Sequence, residues 1–168
     1  MGEGGFRLFN WLDRREDPGP GSQVYAEAMA TRAVIAGRRT FEHAGQWQGD
    51  HHDGVPIFIL THEVPADPPP GSVRYVTDVR AAAAQARAAA GDADVVAMGA
   101  GAGQALLRAG ELDEMELHVV PVLLGRGRRL FDDLPRVDLD LVRRLTAGDE
   151  VEPGQRVMHL RYRVRRAA

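Results

Sequence analysis

The residues best suited to bind a charged ligand lie in three short segments, and each segment follows an apolar run. The first segment, Gly37–Thr40, contains two arginines and a threonine, and the second is Thr61-His62. The third, Gly99–Gln104, carries glycine at three alternate positions. Arginine offers phosphate a planar fork of donors, and glycine lets an anion approach backbone amides closely. These residue types predict the binding of phosphate groups.

Each segment also has an interpretation that involves no ligand. The glycines could form a tight turn for packing, and Gln104 stands where the dinucleotide-binding fingerprint requires a glycine. Arg38 and Arg39 could be solvated residues at the start of a helix, and Thr61-His62 could be a polar strand terminus. Three such segments at the ends of strands that face one crevice are less expected by chance than any one of them alone. The pattern therefore favours phosphate binding.

Several other chemistries are excluded or disfavoured by composition. The sequence has no cysteine, and all 21 basic residues are arginine, which excludes thiolate sites, Walker-A lysines and Schiff bases. Ser22 and Ser72 both follow glycine in loops and form no nucleophile elbow. The pair His51-His52 has no evident third ligand, so we expect no metal site. A net charge of -3 argues against nucleic-acid binding.

The elements that position these segments alternate between strands and helices. Their order predicts an α/β fold, with a mainly parallel sheet flanked by helices and an antiparallel hairpin at its edge. Ligands of such sheets bind beyond the carboxyl ends of the strands, where all three segments lie. The predicted strands are Ala33–Ala36, Val55–Leu60, Val73–Val76, Asp94–Met98, Met115–Leu124, Leu139–Leu145 and Val157–Val164. The predicted helices are Gln23–Arg32 capped by Ser22, one from Arg39, Asp78–Ala90 capped by Asp78, and Gln104–Ala109.

The length of the chain bounds its organisation. Its 168 residues predict a single domain over 1–168, with an irregular segment at 1–23. No apolar run approaches the roughly 20 residues that a membrane helix needs. The first residues, Met1–Gly5, have the character of neither a signal peptide nor a transit peptide, so we expect a cytoplasmic protein.

Taken together, the motifs resemble the dihydrofolate-reductase-like superfamily. The nearest resemblance is to the branch that contains the reductase domain of the bacterial bifunctional riboflavin-biosynthesis deaminase/reductase. It rests on Val34–Phe41, Val55–His62, Val95–Gln104 and Leu112–Phe131, and it covers residues 24–165. The last stretch, with Asp113–His118 followed by Pro-Val-Leu-Leu-Gly, is the most specific to the family.

The resemblance implies a largely parallel central sheet with NADPH lying across its strand ends. Gly37, Arg38, Arg39 and Thr40 would then hold the phosphates of the cofactor. Leu60, Thr61 and His62 would line the end that carries the adenosine 2′-phosphate. The segment made of Gly99, Ala100, Gly101, Ala102, Gly103 and Gln104 would cradle the pyrophosphate. Glu114 would face the substrate, and a homodimer is expected for this branch.

Two departures from the family pattern shape the functional hypotheses. The glycine cluster Gly2–Gly5 resembles the segment that comes after the first strand in the family. We therefore expect the usual first strand to be missing, either because the protein lacks it or because the start of the chain is misplaced. Dihydrofolate reductase uses a carboxylate on its first helix to protonate its substrate, and no residue fills that place here. Glu27 is acidic but lies near Gly37, and we interpret it as a solvated helix residue. Folate reduction is therefore not expected.

The leading hypothesis is an NADPH-dependent reductase that transfers hydride to a small heterocycle. The activity it most resembles is that of the reductase that acts on 5-amino-6-(5-phosphoribosylamino)uracil in riboflavin biosynthesis. The alternative is a non-catalytic nucleotide-binding or interaction protein on the same scaffold, a hypothesis prompted by the missing strand. A third option is an oxidoreductase that acts on a xenobiotic. The sequence identifies no catalytic proton donor.

Overall fold

The computed structural model describes residues 5–68, 71–148 and 151–166, and it divides into two compact units. The parallel unit comprises Met29–Leu112 and Leu130–Pro135. The antiparallel unit comprises Met1–Ala28, Asp113–Arg129 and Arg136–Ala168. None of the helices in the described ranges is long and apolar enough to cross a membrane.

The parallel unit contains a four-stranded sheet in the order β3-β2-β1-β4, and all of its pairings are parallel. The predicted β-α alternation is thereby confirmed. Its strands are β1 (Ala33–Gly37), β2 (Ile57–Leu60), β3 (Val73–Val76) and β4 (Val95–Met98). Its helices are α2 (Arg38–His43), α3 (Val79–Ala90) and α4 (Ala100–Ala109).

Apolar side chains cover both faces of this sheet. Ile35 and Phe58 belong to one buried cluster, in which Ala83 and Ala86 of α3 also pack. Val34, Ile57 and Ile59 belong to the other cluster, together with Phe41 of α2. Successive strand residues alternate between the two clusters, as the period of a β-strand requires. The prediction that β2 is buried on both faces is confirmed.

The antiparallel unit contains a three-stranded sheet in the order β5-β7-β6. The sequence predicts that β6 and β7 pair as an antiparallel hairpin, and they do. They form a separate sheet with β5 rather than the edge of the parallel sheet. The strands are β5 (Glu114–Val119), β6 (Leu139–Thr146) and β7 (Met158–Val164). A 3₁₀ helix at Gly5–Arg14 and helix α1 (Pro20–Met29) come earlier in the chain.

Within the described ranges, β4 is an edge strand of the parallel sheet and β5 is an edge strand of the antiparallel sheet. As predicted, the described residues ahead of β1 form helices and no strand. Residues 2–4 of the glycine cluster lie outside the described residues.

Two element boundaries differ from the prediction. β5 ends at Val119 and does not continue to Leu124, because Pro121 has no N–H to donate to a ladder. α1 starts at Pro20, so Ser22 lies inside its first turn and does not cap it. Its hydroxyl instead donates to the carbonyl of Gly19, at 2.9 Å. Proline suits this position because it has no N–H, and the first amides of a helix have no acceptor within the helix.

The two faces of the antiparallel sheet differ in chemical character. Glu116 pairs with Arg161 across β5 and β7, and both side chains lie on the face that meets Glu27 of α1. The alternate face carries Leu117 and Leu160, and no apolar side chain on it is fully buried. The arginines lie beneath α1 because their carboxylate partners are there.

The cap of α3 provides a test of local helix stability. Asp78 accepts a hydrogen bond from the amide of Ala81 at 2.7 Å, as the sequence predicts. We expect Asp78→Ala to lower the free energy of unfolding by about 1 kcal/mol, measured by urea denaturation. Asp92→Ala removes an exposed carboxylate that caps no helix and serves as the control. Equal effects of the two substitutions would contradict a capping role for Asp78.

Candidate functional site

The three predicted ligand-binding segments follow neighbouring strands. Gly37 of β1 pairs with Leu60 of β2, and Ala36 pairs with Met98 of β4. Because these strands are parallel, their carboxyl ends lie along one edge of the sheet. The residues that come next, including Thr61 and Gly99, therefore start their turns side by side at that edge.

The turns after β1 and β4 are in direct contact. Gly99 has φ 91°, and a Cβ built on it would overlap Thr40 Oγ1 and lie 3.1 Å from Thr40 Cβ. A Cβ on Gly37 would lie 3.7 Å from the backbone nitrogen of Ala102, which is ordinary contact. Gly99 thus has both a backbone conformation and a neighbour that require glycine.

Helix α4 begins at Ala100, and this corrects the prediction of a glycine turn followed by a helix from Gln104. Gly101 and Gly103 are helical, and the amide of Gly103 donates to the carbonyl of Gly99 at 3.0 Å. Their cost in helix propensity, about 1 kcal/mol each, is offset by packing of the buried Ala102 and Leu106.

The start of α4 has the form of an anion-binding helix terminus. No side chain caps it at Gly99, and Cβ atoms added at Gly101 or Gly103 would meet nothing within 4 Å. The first amides of a helix need an external acceptor, and the helix dipole favours a negative one. The open space beside the glycines gives such an anion room to approach.

The arginines after β1 differ in their partners. Arg38 Nε donates to Glu42 Oε1 at 2.7 Å, and this bond raises the pKa of the guanidinium further. Both side chains are exposed, so the pair contributes little to stability and can open for a ligand. Arg39 is exposed, and in the described ranges its guanidinium has no hydrogen bond or ion pair.

The remaining predicted residues of this edge have structural partners. Thr61 Oγ1 donates to the carbonyl of Glu63 at 2.8 Å, which closes a local turn. Gln104 Nε2 donates to the carbonyl of Leu130 at 2.7 Å. Leu60 packs against the core, while His62 is exposed. The Gln104 amide therefore anchors the segment at 130–135, a role that the sequence did not reveal.

Three solved structures are similar to this chain at low sequence identity. A protein from Shewanella sp. PV-4 assigned to riboflavin biosynthesis shares 21% identity, with 94% of this chain and 88% of that chain covered and a TM-score of 0.69. Dihydrofolate reductase from Enterococcus faecalis, complexed with NADP(H), shares 16%, with 85% and 80% covered and a TM-score of 0.58. This chain has the dihydrofolate-reductase-like fold. The sequence alone matches no protein family model and no curated protein.

A pyrimidine reductase-like protein from Corynebacterium diphtheriae is the third similar structure. It shares 13% identity, with 87% of this chain and 81% of that chain covered and a TM-score of 0.60. The fold that the sequence motifs implied is thereby confirmed. Within this dihydrofolate-reductase-like fold, the described part of the chain contains no strand in the place of the family's first strand.

Two acidic residues weighed from the sequence lie in the antiparallel unit. Glu114, the candidate substrate residue, is exposed and lies 3.8 Å from Arg163 on the charged face of the sheet. Glu27 is not the solvated helix residue that the sequence suggested. Its carboxylate accepts bonds from Arg143 at 2.6 and 2.7 Å and from Arg161 at 2.6 Å.

These arginines fix the charge state of Glu27. The hydrogen bond from Arg143 is the main cause that lowers the pKa of this carboxyl from 4.5 to about 2. The same two arginines bind Glu116, with Arg161 Nε 2.6 Å from Oε2. A carboxylate held this strongly in its ionised form cannot serve as a proton donor near neutral pH.

Two histidine pairs occur in the structure. His51 and His52 approach at 2.6 Å between their Nδ1 atoms, and His52 Nε2 bonds the carbonyl of Thr31. Within the described ranges, no group of three or more acidic or histidine side chains could hold a metal. His118 lies on a sheet face, as predicted, and its Nδ1 lies 2.8 Å from Nδ1 of His159. This second pair was not predicted, because it depends on the register of β5 and β7.

The contact between Gly99 and Thr40 gives a sharp test of the geometry at the strand ends. We expect Gly99→Ala to lower the free energy of unfolding by about 2 kcal/mol, because the new Cβ overlaps Thr40 and φ 91° is strained. Urea denaturation would measure it. Gly101→Ala is the matched control, and it should be neutral or stabilising in an open helical position. Equal losses in both variants would contradict the contact.

The Glu27 cluster predicts a pH dependence of stability. The folded-state pKa is about 2 and the ordinary value is 4.5, so the stabilisation is present above 4.5 and is lost as pH falls toward 2. The stability difference between the native protein and Glu27→Gln should therefore be largest near pH 7 and shrink below pH 4.5. Chemical denaturation at several pH values measures it, with exposed Glu16→Gln as control. A difference that does not vary with pH would be inconsistent with this ion pairing.

Proposed function

We propose that this chain is an NADPH-dependent reductase that acts on a small heterocyclic substrate. The observation that carries the proposal is the junction of Gly99 with Thr40, which brings an uncapped helix start beside the arginines that follow β1. Dinucleotides bind other α/β sheets at such carboxyl ends. The dihydrofolate-reductase-like fold supports the same choice, since one similar structure is a reductase complexed with NADP(H).

The residues at this edge fit the phosphates of the cofactor. The free amides of α4 and the open space beside Gly101 and Gly103 would accept the pyrophosphate. Arg39 would supply a guanidinium that has no hydrogen bond or ion pair among the described residues. Arg38 would exchange its exposed carboxylate partner, Glu42, for phosphate. Without lysine, all cationic recognition here must come from arginine or histidine.

His62, after β2, would lie at the end of the site that distinguishes NADPH from NADH. Its exposed imidazole is a donor that can pair with a 2′-phosphate, while the Thr61 hydroxyl holds the turn in place. When bound, NADPH supplies the hydride, and the protein supplies orientation and exclusion of water. No residue of this edge is proposed as the proton donor.

The substrate proposed is a riboflavin-type precursor, most like 5-amino-6-(5-phosphoribosylamino)uracil. It rests on the sequence resemblance and on two similar structures, one assigned to riboflavin biosynthesis and one described as pyrimidine reductase-like. Glu114 is a candidate for contact with this substrate. A homodimer remains a prediction of the same resemblance, which sedimentation of the purified protein would test.

Cofactor binding can be tested by thermal unfolding. We expect NADPH to raise the Tm of the native protein more than NADH does at equal concentration, because ligand binding to the folded state stabilises it. His62→Ala should reduce the preference for NADPH over NADH, while Arg39→Ala should weaken the binding of both cofactors. Arg32→Ala is the control, since this exposed arginine precedes β1 at the opposite end of the strands.

Turnover separates a reductase from a binding protein. NADPH oxidation should occur with at least one substrate from a panel of pterins, pyrimidines and flavin precursors, followed by absorbance at the cofactor band. Binding of NADPH without oxidation of any panel member would favour the nucleotide-binding alternative. Equal or absent Tm shifts with both cofactors would refute the cofactor assignment itself.

A further inference from the structure

The ion pair in α2 involves one of the arginines assigned to the cofactor. Arg38 Nε donates to Glu42 Oε1 at 2.7 Å, and the two side chains are 53% and 44% exposed. Residues four apart lie on the same face of a helix, so Glu42 holds the guanidinium of Arg38 along α2. A phosphate can therefore take this guanidinium as its partner only in competition with the Glu42 carboxylate.

A second carboxylate, Glu63, acts on the same guanidinium. The hydrogen bond to Glu42 is the main cause that raises the pKa of Arg38, and the charge of Glu63 raises it further. Thr61 fixes the backbone of Glu63, because its Oγ1 donates to the carbonyl at 2.8 Å and accepts from the amide at 3.3 Å. The guanidinium of Arg38 is therefore within electrostatic reach of the turn after β2, where His62 is assigned to the 2′-phosphate.

The charges of these four side chains balance. Arg38 and Arg39 contribute two positive charges at the start of α2, while Glu42 and Glu63 contribute two negative ones. The 2′-phosphate of NADPH carries a charge of about −1.5 to −2 at pH 7, whereas NADH has an uncharged hydroxyl in its place. The carboxylates therefore repel NADPH more strongly than NADH, and they oppose the preference that the arginines create.

We propose that Glu42 is a specificity-determining residue that lowers the preference of the site for NADPH over NADH. It occupies Arg38 when no phosphate is bound, and it repels the 2′-phosphate that would replace it. This inference rests on the proposed function, because it concerns the same cofactor. It adds that the native protein selects NADPH less strongly than its arginines alone would.

The test compares the dissociation constants of NADPH and NADH, measured by titration of the fluorescence of the reduced nicotinamide. Glu42→Gln keeps the length of the side chain and removes its charge. We expect the NADPH affinity to rise by about threefold, the effect of losing one exposed carboxylate partner and its repulsion. The NADH affinity should change less, so the ratio of the two affinities should rise.

Two further variants separate a local effect from a general one. Asp92→Asn makes the same change in net charge at an exposed residue between α3 and β4, at the opposite end of the strands. It should leave the affinity ratio unchanged. In an Arg38→Ala background, Glu42→Gln should raise the ratio less than it does in the native protein, because the competition for the guanidinium is gone. Circular dichroism would check that each variant is folded.

The outcomes distinguish this inference from the function on which it rests. If the native protein binds NADPH but Glu42→Gln leaves the ratio unchanged, the inference is wrong and the cofactor assignment stands. A lower ratio would also overturn it, since Glu42 would then orient Arg38 for phosphate instead of competing with phosphate. The same holds for an equal rise in Asp92→Asn or an undiminished effect in the Arg38→Ala background. If the native protein binds neither cofactor, the cofactor assignment and this inference fail together.

Discussion

The contact of Gly99 with Thr40 is the constraint on which the arrangement of the parallel unit's strand ends depends. The strand register alone brings β1 and β4 side by side, but it does not decide where their following turns go. Because Thr40 occupies the space that a side chain at position 99 would need, the two turns interlock. The start of α4 and the arginines after β1 therefore share one edge, and phosphate recognition becomes geometrically possible.

The antiparallel unit is organised by charge rather than by apolar burial. Glu27 and Glu116 face Arg143 and Arg161, and each arginine reaches both carboxylates. Partly desolvated ions of this kind are costly to remove singly, because the remaining partners would keep their burial without compensation. This explains why these four side chains lie together between the sheet and α1. The Nε atom of Arg143 is buried without a hydrogen bond in the described ranges.

The fold was largely predictable from the sequence, since apolar runs, glycine boundaries and the Asp78 cap are local signals. Ligand-binding segments could also be placed, because parallel strands bring their carboxyl ends together. The predictions that failed required non-local information. The roles of Glu27 and Gln104 depend on partners that lie far away in the chain, Arg143 and Leu130. The helical start at Ala100 was missed because glycine argues against a helix when packing is not known.

The chain order of the two units has a consequence for synthesis. Apart from residues 130–135, the parallel unit is one continuous stretch, Met29–Leu112, whereas the antiparallel unit joins three separated stretches. Strand β5 pairs with β7, and Val119 lies opposite Met158. This pairing cannot form until β7 has been synthesised. On the ribosome, all four strands of the parallel sheet emerge before β6 and β7 exist. During that interval Arg143 and Arg161 are not yet available to Glu27. The antiparallel sheet can therefore be completed only after β7 has been synthesised.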